Sequence, residues 1–301
     1  MPEWKPEVVL RRKLQLRSKA HRGHCPHISA LLRSERQAEH VASHTQKGEC
    51  MKVISICDHK GGVAKTTTAA AVAQGIAYLH PKARTLLIDA DPQGTATKSF
   101  YGIKKGVPGL YEVLTDEVEI NAAIIHTDAG DILPYSPKLR NLDAELSNNP
   151  GKNHLLKEHL EDLNGYSHVI IDTSPYLNLM NIQALTASQY VVIPVTAASE
   201  TVENLPETLT TIRQVQKYLN SDLTIAGAIF TLHDARSNVV KQYADLINDI
   251  CQKNQIKVLK TKIRSCAAIK EAHAQKEDLF KNYPKSNAVE DYTKALKELK
   301  F

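Results

Sequence analysis

An α/β fold with a mostly parallel sheet, doubly wound by helices on both faces, follows from three features of this 301-residue chain. Short apolar runs suited to fully buried strands alternate with longer stretches of helical period. Several of those runs stop at a glycine loop or a carboxylate, as strands do where a parallel sheet binds ligands at its C-terminal edge. Apolar residues make up 42% of the sequence, enough for a large buried core. One domain spanning residues 51–301 accommodates the pattern, with no internal repeat or linker.

The first strand is the run Val53-Ile54-Ser55-Ile56-Cys57, which opens just after Met51 and breaks into Asp58-His-Lys-Gly-Gly-Val-Ala-Lys-Thr-Thr-Thr68. An alanine-rich helix is expected from Thr66 to Ala77. Strand, glycine loop and helix in that order form a phosphate cradle. Backbone N–H groups converge on anionic oxygens, the helix dipole adds to the attraction, Lys65 reaches the terminal phosphates and Thr66 can hold Mg²⁺ through its hydroxyl. A second lysine, Lys60, stands five residues before Lys65. Ala64 occupies a position where glycine is usual, so its methyl is expected to strain the turn and to lower nucleotide affinity without abolishing it.

The next strand, within Arg84-Thr-Leu-Leu-Ile-Asp-Ala-Asp-Pro-Gln-Gly94, ends in Asp89 and Asp91, which alternation points the same way. A third, in His168-Val-Ile-Ile-Asp-Thr-Ser-Pro175, ends in Asp172. Further strands are expected at residues 190–195, 223–232 and 257–263. A helix is expected over 200–219, with Pro206 tolerated near its start.

The pattern Lys-Gly-Gly-Val-x-Lys-Thr-Thr at residues 60–67 resembles the deviant Walker A box of the ParA/MinD family of P-loop NTPases. Asp-x-Asp-Pro-Gln-Gly at 89–94 also resembles that family, and 168–175 is similar to its Walker B segment. The likeness extends more loosely through Pro194 and its loop, residues 230–238, 260–264 and 271–272. The resemblance implies ATP at Gly61, Gly62, Val63, Ala64, Lys65, Thr66 and Thr67, with Pro194 near the base. It implies Mg²⁺ at Thr66, Asp89 and Asp172, and an attacking water oriented by Asp91. It further implies a homodimer closed around ATP, in which Lys60 reaches the partner's nucleotide. In such proteins the ATP dimer binds DNA without sequence preference. Candidates here are Arg236, Lys262, Arg264, Lys270 and Lys281. Hydrolysis is expected to be slow and stimulated by a ParB-like centromere-binding protein. A MinD-like membrane-positioning ATPase is the alternative, because Val289, Tyr292, Ala295, Leu296 and Leu299 share one face of the last helix, with Lys294, Lys297 and Lys300 on the polar face. A stripe of that kind more often packs on its own domain.

Charge is unevenly divided. Residues 1–50 hold ten Lys/Arg against five Asp/Glu, and residues 251–301 hold twelve against six, while residues 51–301 as a whole are balanced at 28 each. The basic C-terminal stretch suits a polyanion. Residues 1–50 are read as a disordered basic extension, with Met51 as a natural start. Their His21, His24, Cys25 and His27 lack a second ligand pair at metal-binding spacing. Five cysteines without a Cys-x-x-Cys pair point to free thiols in a reduced compartment and exclude a cluster-bearing reductase. With no apolar run of membrane-spanning length and no signal-like start, the expected location is cytoplasmic, on the nucleoid.

Overall fold

A computed structural model describes residues 51–103, 106–233 and 238–301. The proposed extension at 1–50, its histidine cluster and the candidate Arg236 lie outside the described residues.

Seven strands form one sheet in the order β3-β4-β2-β5-β1-β6-β7. They are β1 Lys52–Ile56, β2 Thr85–Asp89, β3 Ile125–Thr127, β4 Gly130–Leu133, β5 His168–Asp172, β6 Tyr190–Val195 and β7 Thr224–Phe230. All neighbours run parallel except β3 and β4, an edge hairpin turned at Gly130, whose backbone has φ 126. That hairpin was not foreseen, since its strands of three and four residues are too short to show a period. The main helices are α1 Lys65–Leu79, α2 Leu155–Glu161, α3 Leu179–Ala187, α4 Ser199–Tyr218, α5 Asn238–Lys253, α6 Ala267–Gln275 and α7 Asn287–Leu299.

Alternation along the strands sorts the core by face. Ile54 and Ile56 of β1, Leu87 of β2, Ile170 of β5, Val192 of β6 and Ile229 of β7 pack with α1 and with the C-terminal residues Phe280, Val289, Tyr292 and Leu296. On the other face, Leu86, Ile88, Val169 and Ile171 meet α2 and α3. Val191, Ile193, Val195 and Phe230 meet α4 and α5 on that same side. Both faces are covered, so the doubly wound expectation is met.

One expectation needs correction. Residues 257–263 make only an isolated bridge between Val258 and Ala228, not a strand. The reason is Glu298, whose carboxylate accepts from Lys260 N at 2.9 Å and Thr261 N at 2.9 Å and so takes donors a ladder would need. The apolar stripe of the last helix packs on its own domain, as expected in preference to the membrane alternative. Val289, Tyr292, Ala295 and Leu296 are buried in the chain's own core, and the Tyr292 hydroxyl lies 3.2 Å from Thr68 Oγ1 on α1. Among the described residues no helix is long and apolar enough to cross a membrane.

Candidate active site

Because β1 lies between β5 and β6, with β2 beyond β5, the C-terminal ends of β1, β2 and β5 open side by side. Asp172 at the end of β5 is the register partner of both Ile56 and Asp89. The glycine loop leaves β1 here. Gly62 has φ 78, while Gly61 and Gly62 are exposed and would have nothing within 4 Å of an added Cβ, so the loop backbone faces open space. Ala64 adopts the left-handed conformation at φ 60 and ψ 34, and its carbonyl accepts from Thr68 N at 2.8 Å to begin α1. The turn is therefore one suited to glycine, as the sequence suggested. Val63 is fully buried, and its carbonyl accepts from the Thr231 hydroxyl at 3.0 Å, which fastens the loop to the end of β7.

Asp58 is buried at the root of the loop. Its Oδ1 accepts from Thr208 Oγ1 at 3.0 Å and from Lys60 N at 3.3 Å, while Oδ2 has no partner. Burial raises its pKa, an effect opposed by the Thr208 hydrogen bond and the nearby Lys65 charge. Lys65 is also buried, which lowers its pKa against the attraction of Asp58 and Asp172. Its ammonium donates to Lys60 O at 2.5 Å. The Lys60 ammonium lies 3.2 Å from Thr196 Oγ1, 3.4 Å from Thr201 Oγ1 and 3.6 Å from Glu200 Oε2.

The carboxylates divide by task. Asp89 accepts at Oδ2 from Thr97 N at 2.7 Å and Thr97 Oγ1 at 2.6 Å, and at Oδ1 from Asp91 N at 3.3 Å. Both its oxygens are committed to holding the following loop. Asp91 accepts from Gln93 N through Oδ1 at 2.8 Å, closing the turn that brings Gly94 against Tyr135. A Cβ on Gly94 would lie 2.3 Å from that ring, its φ of 64 favours glycine, and together these account for the glycine of the Asp-Pro-Gln-Gly run. Asp172 differs. It is wholly buried, and neither carboxylate oxygen finds a hydrogen-bond partner. Burial and the neighbouring Asp89 raise its pKa well above the usual carboxylate range, with partial relief from the Thr66 hydroxyl, and Asp89 itself is pushed up to about 6 by burial. Such an orphaned carboxyl group beside a loop threonine fits a hard divalent cation, which prefers carboxylate and hydroxyl oxygens. On these contacts Thr66 and Asp172 fit Mg²⁺ better than Asp89 does.

Pro194 is buried within β6, in register with Ile229. Val192 O accepts from Cys57 N, so Pro194, two residues on, faces the same side after β1 has ended, where its missing N–H forfeits no ladder bond. The following loop at 196–199 is half-buried, and its Thr196 reaches the Lys60 ammonium.

The candidate cations are not equivalent. Arg264 is tied to Asp291 through Nε at 2.8 Å and Nη2 at 2.6 Å, and to Glu290 at 3.0 Å, so its guanidinium is engaged within the chain. Lys281 lies 3.5 Å from Asp278, and the Lys262 ammonium lies 5.3 Å from the centre of the Phe230 ring. Lys270 is exposed on α6. Sequence reasoning missed Thr97, Thr196, Thr201, Thr208 and Thr231, since each acts on a residue distant in the chain or across a turn and leaves no local pattern.

Residues 51–225 match a family described as AAA domain. The sporulation initiation inhibitor protein Soj of Bacillus subtilis (strain 168) is 36% identical over 253 residues, covering 82% of this chain and 98% of Soj. The chromosome partitioning protein ParA of Caulobacter vibrioides (strain NA1000 / CB15N) is 34% identical over 200 residues, 64% of this chain and 74% of that one. The crystal structure of cobyrinic acid a,c-diamide synthase from Mycobacterium smegmatis with bound ADP and magnesium superimposes with a TM-score of 0.69 at 31% identity, covering 81% of this chain and 92% of that one. A two-lysine phosphate loop set beside two carboxylate-ended strands, matched along nearly the whole of Soj, places the chain in the ParA/Soj family of P-loop partition ATPases.

Proposed function

We propose that the protein is an ATP-dependent partition ATPase that pairs with a second copy on binding ATP, holds DNA without regard to sequence, and is reset by hydrolysis. The observation that carries this reading is the convergence of the glycine loop, Lys65, Asp91 and the unpartnered Asp172 at the ends of adjacent strands. Solved relatives carry ADP or an ATP analogue with magnesium, and those chemistries suit the site here.

In this reading Gly61, Gly62, Val63 and Ala64 present backbone N–H groups to the phosphate chain, which sits at the N-terminus of α1. Lys65 exchanges its bond to Lys60 O for the terminal phosphates, where its charge counts for more because the site is buried. Thr66 and Asp172 would hold Mg²⁺, which neutralises charge on the phosphates. Asp91 orients the attacking water, with its carboxylate fixed by Gln93 N. A separate ParB-like protein would supply cargo choice and stimulate turnover. The basic excess of residues 251–301 supports a polyanionic surface for the dimer.

Binding of the full chain to non-specific duplex DNA, measured with ATP·Mg²⁺, with ADP·Mg²⁺ and without nucleotide at two salt concentrations, tests the proposal. Salt-sensitive binding that requires ATP is the expected result. Equal or absent binding in all three conditions would refute it.

A further inference from the structure

Every polar group of Lys60 is engaged within its own chain. The peptide N–H donates to Asp58 Oδ1, the carbonyl accepts from Lys65 Nζ, and the ammonium faces Thr196 Oγ1, Thr201 Oγ1 and Glu200 Oε2. An ammonium has three N–H donors, and three oxygens surround this one. Two of them come from the first turn of α4, which also supplies Thr208 to Asp58 Oδ1 and to His59 N. The first three turns of α4 thus grip both ends of the segment 58–60. Thr201 is buried and its hydroxyl lies 3.2 Å from that of Thr196, so the two form a fixed pair, whereas Glu200 is largely exposed and contributes chiefly by charge.

We propose that Thr196, Thr201 and Glu200 are positioning residues that hold the Lys60 ammonium in cis and restrain its transfer to the phosphates on a second subunit. The inference rests on the reading above that Lys60 acts between two copies. A lysine cannot keep these oxygens and also serve a phosphate across an interface, so the affinity of the trans contact is reduced by the fraction of chains in which Lys60 is free. The two lysines are linked through one peptide. A phosphate that draws Lys65 Nζ away must take it from Lys60 O, and this loosens the residue whose side chain is to leave. ATP in the loop therefore weakens the cis hold from behind, and pairing follows binding.

The test uses the full chain and two readouts. In the first, amine acylation by an N-hydroxysuccinimide ester is followed by peptide mass spectrometry without nucleotide, comparing Lys60 with exposed Lys82 in the wild type and in a Glu200→Gln/Thr201→Val variant. Circular dichroism verifies that the variant is folded, and single Glu200→Gln serves if the double variant is not. Lys60 is expected to react several-fold more slowly than Lys82 in the wild type, and roughly threefold to tenfold faster on substitution, the range for losing about one neutral hydrogen bond and a weak ion pair. In the second, sedimentation during ATP·Mg²⁺ titration is expected to show the variant dimerising at correspondingly lower ATP. A Lys60 as reactive as Lys82 in the wild type overturns the cis hold. A variant with faster acylation but an unchanged dimerisation threshold overturns the restraint. If neither protein dimerises with ATP, the trans reading of Lys60 falls and the restraint with it, a failure told apart by acylation that still rises in the variant.

Discussion

Ala64 carries a left-handed backbone that costs an L-residue roughly 1–2 kcal/mol, and it does so at the cap of the helix that begins with Lys65. Ala64→Gly removes that strain but returns part of the gain, about 0.4–1 kcal/mol, as extra freedom of the unfolded chain. The expected result is a rise in melting midpoint of no more than about 6 °C, with tighter ATP binding by calorimetry, because the loop can adapt to the phosphates. A fall in both would mean that the methyl packs usefully. Asp172 makes the opposite bargain, function at the expense of stability. Its pKa is raised in the fold, so from the ordinary carboxylate range upward the unfolded chain releases a proton that the folded chain retains. Stability from this group is therefore present at low pH and declines as pH rises through that window. Asp172→Asn is expected to stabilise the nucleotide-free protein at pH 7, to narrow that advantage toward pH 4, and to lower Mg²⁺-dependent ATP hydrolysis more than tenfold. Denaturant midpoints across pH, together with phosphate release, decide it.

Elements rather than residues connect the phosphate loop to the basic end of the chain. α7 lies against α1 through Tyr292 and Thr68, fixes Arg264 through Asp291, and secures residues 260–261 through Glu298. Tyr292→Phe keeps the ring but leaves the buried Thr68 hydroxyl without this partner, and should cost about 1–2 kcal/mol of unfolding free energy in denaturant titration. Much of this scale was legible in advance. The buried strands β1, β2, β5 and β6 announced themselves because continuous apolar runs stop at functional residues, and β6 was bounded as observed. Residues 257–263 were not, because a carboxylate some forty positions onward takes their amide hydrogens, and no periodicity within the segment records that. Asp89 shows the same limit at the site. Its place at the strand end could be read, but not its capture by Thr97, which leaves Asp172 as the open carboxylate.

At the scale of the whole molecule, charge and layers coincide. The hydrophobic anchors of residues 251–301, among them Leu259, Ile263, Ala272, Phe280 and Leu296, belong largely to the cluster that covers the α1 face of the sheet. A segment with twelve basic and six acidic residues is thus laid mainly over one side of a domain whose residues 51–250 are net acidic, with sixteen basic against twenty-two acidic. Not every cation on that side is available. Arg264 spends its guanidinium on Asp291 and Glu290, whereas Lys270 projects from α6. If DNA binds here, the two should separate in a salt titration. Each phosphate neutralised adds about 0.9 to the slope of log affinity against log salt concentration, so Lys270→Ala should lower that slope by about one and leave the melting midpoint unchanged. Arg264→Ala should lower the midpoint, because Asp291 is buried and loses its partner, while altering the slope little in the fraction that remains folded. The reverse pattern, a lost slope for Arg264→Ala and none for Lys270→Ala, would mean that Arg264 leaves Asp291 to reach a phosphate and that this ion pair opens on DNA.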